Sequence, residues 1–266
     1  MSHPRIILYV LSVILLSSCN FKTTNKTDNT SSEWIYLFNG KDLEDWTIKI
    51  NHHDVNDNYA NTFRVVDSTL QINYDGYSEF GRRFGHIYYN KPFSSYHLKF
   101  EYRFTDQWME DAPQGTYRNS GVMIHSQDPN TMTKDQDWPT SVEYQILAEK
   151  TAGEPRTTAN VCTPKTEVFF KGEMDSRHCV PSNSKTYTWN QWLSGEIIVY
   201  QDSLIKHIVE RDTVLQYTKP QISRGRLDVN DINYKNEGQL LKAGYIALQA
   251  EGQGIEFREI KIKTIN

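Results

Sequence analysis

His97-Leu98-Lys99-Phe100-Glu101-Tyr102-Arg103-Phe104 alternates apolar and polar residues without a break. Successive side chains of an extended strand point to opposite faces. Leu98, Phe100, Tyr102 and Phe104 therefore share one face, and Lys99, Glu101 and Arg103 the other. Ser141 to Glu149 repeats the pattern, with Val142, Tyr144 and Ile146 against Glu143, Gln145 and Leu147. Thr62–Val66 and Thr69–Asn73 flank Asp67-Ser68, a hairpin signal. Strand period returns at Gly195–Tyr200, Ser203–Arg211, Gly244–Ala250 and Gly254–Ile265. No stretch carries convincing helical amphipathicity. Short strands separated by turns predict an all-β, two-sheet antiparallel sandwich.

The N-terminus reads differently. Arg5 precedes an apolar run from Ile6 to Leu16, interrupted by Ser12 and followed by Leu16-Ser17-Ser18-Cys19. The run is too short for a membrane-spanning helix, which needs about 20 apolar residues. It has the length of a signal-peptide core. Leu-Ser-Ser-Cys resembles a bacterial lipobox, which predicts cleavage and lipidation at Cys19; the alternative is an ordinary secretory signal with a chance cysteine. Residues 20–32 are polar and aperiodic and read as a tether. The expected organisation is a signal peptide over 1–19, a tether over 20–32 and one sandwich domain over 33–266. The expected location is the bacterial cell envelope, lipid-anchored, on a periplasmic or outer-membrane face. The only expected membrane contact is the lipid.

The net charge of −4 and the absence of a basic block give no sign of a nucleic-acid partner. Cys162 and Cys179 remain once Cys19 is set aside. In an oxidising compartment they are expected to pair. Such a bridge stabilises a loop of this length by about 3 kcal/mol in the chain-entropy model. A metal pair with His178 lacks a second ligand pair at suitable spacing.

Parity also proposes a site. In Asn119–His125, Ser120, Val122 and Ile124 point to the core, while Asn119, Gly121, Met123 and His125 point outward. Gly121 leaves room for something to approach the backbone. Glu143 and Gln145 point outward from their strand, as do Tyr245, Gln249 and Glu251 from theirs, and Glu101 and Arg103 from the first. If these strands adjoin, one face gathers His125, Glu143, Gln145, Gln249, Glu251, Glu101 and Arg103, a set suited to sugar hydroxyls. Each has a plainer reading. Glu101 and Arg103 fit a salt-bridged strand face, a lone histidine is often structural, and Glu251 sits where a turn is expected. The carboxylate-rich stretch from Ser126 to Pro139 lacks the ligand spacing of a calcium loop and reads as a structural loop. Arg82-Arg83-Phe84-Gly85-His86 adds polar groups near the same sheet or forms a surface turn.

Several ordered segments resemble one bacterial family, the 3-keto-disaccharide hydrolases. They are Leu37-Phe38-Asn39-Gly40-Lys41-Asp42-Leu43 with Trp46, Asn119-Ser120-Gly121-Val122, Glu143-Tyr144-Gln145-Ile146-Leu147, Gly244-Tyr245-Ile246-Ala247-Leu248-Gln249 and Ile255-Glu256-Phe257-Arg258-Glu259-Ile260. The resemblance spans residues 34–265. It implies a concanavalin A-like jelly roll, similar to laminarinase and lichenase glucanases, acting on glycosides oxidised to the ketone at C3.

Glucanases of that fold carry two or three acids on one strand. Here Glu143 and Glu149 share parity but stand roughly 20 Å apart along an extended chain, too far for a glycosidase pair. Gln145 occupies the place of a second acid. A conventional glycosidase would need Glu251 or Glu101 across the sheet. A 3-keto sugar relaxes the requirement, because the ketone acidifies the C2 proton. One base, one acid and a donor to the enolate oxygen suffice. His125 and Glu143 are the expected acid/base residues. Arg118, Asn119, Gln145 and Gln249 are expected to hold the sugar, with Glu251, Glu101 and Arg103 on the same face. No cofactor is expected; a divalent metal at His125, Glu143 and Glu251 stays open. The alternatives are a glucanase-type hydrolase and a non-catalytic, lectin-like glycan binder.

Overall fold

The computed structural model describes Met1, residues 33–223 and residues 236–265. The expected signal peptide, Cys19 and tether lie outside the described residues. Along the chain the strands are β1 (Ile35–Tyr36), β2 (Trp46–Ile50), β3 (Phe63–Val66), β4 (Thr69–Ile72), β5 (Gly85–Tyr89), β6 (Ser95–Trp108), β7 (Asn119–Ser126), β8 (Val142–Leu147) and β9 (Asn160–Cys162). They continue with β10 (Thr166–Phe170), β11 (Glu173–Asp175), β12 (Cys179–Val180), β13 (Leu193–Tyr200), β14 (Leu204–Val209), β15 (Asp212–Ile222), β16 (Tyr245–Ala250) and β17 (Gln253–Thr264).

Two antiparallel sheets result. One runs β11-β10-β15-β14-β13-β6-β17-β4-β3, with β1 paired to β17; the other runs β12-β9-β8-β7-β16-β5-β2. This is the expected all-β jelly roll. The sheets meet through the faces that alternation assigned inward. Leu98, Phe100, Tyr102 and Phe104 of β6 are buried against Val142, Tyr144 and Ile146 of β8 and Ile246 and Leu248 of β16. Phe100 meets Tyr144 edge to face, with ring centroids 5.4 Å apart, and the Tyr144 hydroxyl donates to the Ile208 carbonyl across the sandwich at 2.9 Å. Asp67 and Ser68 take positive φ and close the β3–β4 hairpin as predicted. Cys162 and Cys179 form a disulfide between paired residues of β9 and β12.

The alternation fails at one informative place. On β7, Met123 pairs with Ala247 and Ser126 with Tyr245, so Ile124 and His125 together oppose Ile246. This two-against-one register is a β-bulge. His125 takes φ +48° there. A Cβ at Gly244 would stand 2.4 Å from the His125 carbonyl carbon, so only glycine lets the backbones approach this closely. The bulge turns the His125 ring toward the opposite sheet, where Nε2 donates to the Gln201 carbonyl at 3.0 Å.

Candidate active site

The site lies on the outer face of the seven-stranded sheet. Met123 points outward as parity predicts, yet it is fully buried, packed with Tyr88, Ala247 and Met132. Its cover comes from the expected structural loop, Ser126 to Pro139, whose Met132 and Trp138 pack on this cluster. Lys49 of β2 is almost fully buried and anchors this segment, donating to the carbonyls of Ile50, His53 and Lys134 at 2.9, 3.1 and 2.9 Å. Burial holds its ammonium below the usual lysine range, with only partial compensation from Asp135 and Asp54. Asn51 and Arg82 both donate to Asp137, and His52 meets Asp135 at 2.8 Å. Three consecutive residues, Asp135, Gln136 and Asp137, thereby form one wall of a cleft.

The cleft has a volume of about 1080 Å³, room for at least a disaccharide. Its lining includes Glu143 and Gln145 from β8, Asn119 from β7, Glu251 from the β16–β17 turn, Trp138 from the loop, and the Cys162–Cys179 disulfide with His178. Glu143 is 6% exposed and Glu251 5%. Glu143 reaches sideways along its sheet. A Cβ at Gly121 would stand 2.5 Å from Glu143 Oε1, so the missing side chain on β7 is the space the carboxyl occupies. From there it is close enough to interact with Glu251. Burial, and then repulsion from Glu251, push the Glu143 carboxyl well above its usual range. Burial raises Glu251 to about 7, against the lowering effect of Trp138, whose Nε1 donates to Oε1 at 3.1 Å. Two carboxyls that repel in a dry site share protons rather than both ionising.

Polar neighbours are already oriented. Gln145 Oε1 accepts from Asn160 Nδ2 at 3.1 Å, which fixes the amide with its Nε2 as the remaining donor. Asn119 Nδ2 donates to the Gly115 carbonyl, and its buried Oδ1 has no partner among the described residues.

Four of the expected residues thus meet in one cleft: Glu143, Gln145, Asn119 and Glu251. Gln249 shares their sheet face but lies beneath the cleft lining, almost fully buried. The others do not join them. The expectation that His125 faces the groove is corrected by the bulge, which turns the ring to the Gln201 carbonyl; burial lowers its pKa to about 4. Glu101 and Arg103 lie on β6, in the other sheet, and point away from the cleft across the whole sandwich. There Glu101 pairs with Arg258 and Arg103 with Glu256, at 2.7 and 2.5 Å, with both guanidiniums over Trp192. Arg118 is drawn off the cleft as well. Its Nη1 donates to the Glu149 carbonyl at 2.5 Å and its guanidinium stacks on Tyr117 and Trp189, so it anchors the chain leaving β8. Because His125 faces elsewhere, the metal set of His125, Glu143 and Glu251 does not assemble. Among the described residues no group of three or more His, Cys, Asp or Glu is arranged to hold a metal ion.

Sequence reasoning passed over Trp138 as a site residue. Its signal was its place in a carboxylate-rich loop, but nothing local says that the loop folds back over the sheet.

A jelly roll with two buried carboxyls in the floor of an open cleft is the scaffold of a carbohydrate-active protein. The chain belongs to the 3-keto-alpha-glucoside-1,2-lyase-like domain family, whose model matches residues 33–263. Among solved structures it is similar to a protein from Parabacteroides distasonis ATCC 8503 assigned as a glycosyl hydrolase, with TM-score 0.51 and 19% identity, covering 88% of this chain and 100% of that one. A second protein so assigned from the same organism gives TM-score 0.50 and 16% identity, covering 88% and 94%. A Bacillus subtilis protein of unknown function with a galectin-like fold gives TM-score 0.51 and 11% identity, covering 87% and 94%. At these identities the likeness is one of fold. No curated protein sequence matches the chain.

Proposed function

We propose that this protein cleaves 3-keto-glycosides by eliminating the C1 substituent and then hydrating the product. The observation that carries the reading is the placement of two buried carboxyls, Glu143 and Glu251, in the floor of one cleft, where burial and mutual repulsion favour a shared proton. Near neutral pH such a pair supplies one carboxylate and one carboxylic acid together. Trp138 donates to Glu251 and favours its ionised form, so Glu251 is the base and Glu143 keeps the proton.

The steps balance within the pair. Glu251 takes the proton from C2, and the electrons move onto the C3 oxygen as an enolate. The enolate collapses to a C1–C2 double bond, the C1–O bond breaks, and Glu143 protonates the departing oxygen. A water then adds: its hydroxide goes to C1, its proton returns to Glu143, and Glu251, whose proton has meanwhile exchanged with solvent, returns one to C2. The products are the free alcohol and the 3-keto sugar. In this reading Gln145 Nε2 donates to the C3 oxygen and Asn119 accepts from a ring hydroxyl; both residues line the cleft. The family's description supports the substrate class.

Incubation with 3-keto-trehalose and with trehalose in D2O tests this. Cleavage of the keto form alone, with deuterium at C2 of the product beyond spontaneous exchange, is expected. The same carboxyl pair also suits a conventional glycosidase; that reading predicts cleavage of trehalose or glucan and no deuterium at C2. Saturable binding without turnover would leave a lectin-like role.

The lipobox-like Leu16-Ser17-Ser18-Cys19 supports a further part of the proposal, a lipid-anchored protein of the cell envelope. Metabolic labelling with a fatty acid, lost in Cys19→Ser, tests it.

A further inference from the structure

Behind the cleft, three buried residues hold polar atoms with no partner among the described residues: both ring nitrogens of His86, Oε1 of Gln249 and Oε2 of Glu251. His86 is 0% exposed, Gln249 1% and Glu251 5%. They share one sheet face. His86 of β5 is directly opposite Gln249 of β16, and Glu251 follows Gln249 by two residues. One side chain roofs them. Trp138 lies 4.4 Å from the Phe84 ring, donates to Glu251 at 3.1 Å and packs on the Tyr88, Met123, Met132 and Ala247 cluster. Phe84, just before β5, and Tyr88 lie two residues either side of His86, and Ala247 and Glu251, just after β16, lie two residues either side of Gln249. His86 and Gln249 therefore sit in the centre of the ring of residues that Trp138 touches.

A neutral imidazole has one donor and one acceptor nitrogen, and burying both unpaired is costly. A polar site with several convergent atoms is where internal water binds. We propose that His86, Gln249 and Glu251 enclose an internal water beneath Trp138, through which His86 orients the Glu251 carboxyl for proton transfer. The water accepts from the His86 N–H and donates to Gln249 Oε1 and Glu251 Oε2. His86 is then a positioning residue, acting on the substrate only through Glu251.

Burial and nearby Lys49 lower the His86 pKa to about 3, so the ring is neutral and donates from one nitrogen. The groups facing Glu251 from the surrounding elements are Glu143 of β8, Tyr74 after β4 and Trp138 of the loop, with Lys49 of β2 beyond His86. Asp135 and Asp137 on the loop are engaged by His52, and by Asn51 and Arg82. None of these replaces the missing partner of Glu251 Oε2.

The inference rests on the base role proposed for Glu251, but its test needs no substrate. In the full chain labelled with [13C]carboxyl glutamate, NMR follows the Glu251 titration, assigned with Glu251→Gln. His86→Phe is expected to raise the Glu251 midpoint by about one pH unit, a tenfold change in proton affinity, and His86→Gln to restore most of it. If His86→Phe does not fold, Gln249→Met removes the second anchor and is expected to act in the same direction. Coincident midpoints in wild type and either variant would overturn the proposal. So would a high-resolution crystal structure with no water within hydrogen-bonding distance of both His86 and Glu251.

Discussion

Glu143 lies across Gly121: a Cβ there would stand 2.5 Å from the carboxyl oxygen and 2.8 Å from Cγ. The residue on β7 without a side chain is what lets a residue on β8 lean toward the β16–β17 turn. Gly121→Ala is expected to push Glu143 off this path and to lower kcat about 100-fold, the usual size of a misplacement of about 1 Å. Because the obstructing atom is in a side chain, the fold should tolerate it. Steady-state kinetics beside a thermal melt check the split; a large loss of stability with normal kcat in the folded fraction would contradict it.

Glu143→Gln and Glu251→Gln are each expected to cut kcat by 100-fold or more, with the double variant little worse, since the two act as a unit. Both carboxyls have folded pKa values raised by burial, Glu251 to about 7. The unfolded chain releases these protons near pH 4.5, so the stability they confer is full below that pH and declines as pH rises through about 7. Glu251→Gln should therefore stabilise the protein at pH 8 by about 3 kcal/mol relative to wild type, and much less at pH 4.5; Glu143→Gln should act in the same direction. Urea unfolding at the two pH values measures the difference.

Trp138 donates the only hydrogen bond seen at the Glu251 carboxyl among the described residues. It favours the ionised form, so Trp138→Phe should raise the Glu251 pKa. The acid limb of kcat/KM against pH, expected near neutrality, should move up by about one unit. An unmoved limb would take Glu251 out of the base role.

His125 makes the opposite case. Its ring is buried away from the cleft, so His125→Asn, which suits a positive φ, should leave kcat within a few-fold of wild type while lowering stability at neutral pH. Burial lowers the pKa values of His125 and His207 to about 4, and that of His86 to about 3. All three protonate near 6.5 in the unfolded chain, so their stabilisation is full above that pH and is lost as pH falls toward 4. The asparagine variant should show a shallower acid decline, read from urea midpoints between pH 6.5 and 4.

Much of the fold was legible along the chain. Inward and outward faces of β6, β8 and β16 follow from two-residue alternation, and the Asp67-Ser68 hairpin from local turn chemistry. Glu143, Gln145, Asn119 and Glu251 were found by the same parity. Glu101 and Arg103 were misplaced because parity says which way a side chain points within its sheet, not which sheet holds the strand. His125 was misplaced because parity assumes an unbroken register.

Alternation is a property of neighbours in sequence, and the sequence alone determined an all-β sandwich with polar outer faces and a paired Cys162 and Cys179. Strand pairing is a property of distant segments, and only the tertiary structure decided it. Gly244 meeting the β7 backbone made the bulge that turned His125 away. The loop folding over Met123 brought Trp138 to Glu251. The order β8-β7-β16 set Glu143 and Glu251 in the floor of the same cleft, where burial and mutual repulsion raise the pKa of the Glu143 carboxyl.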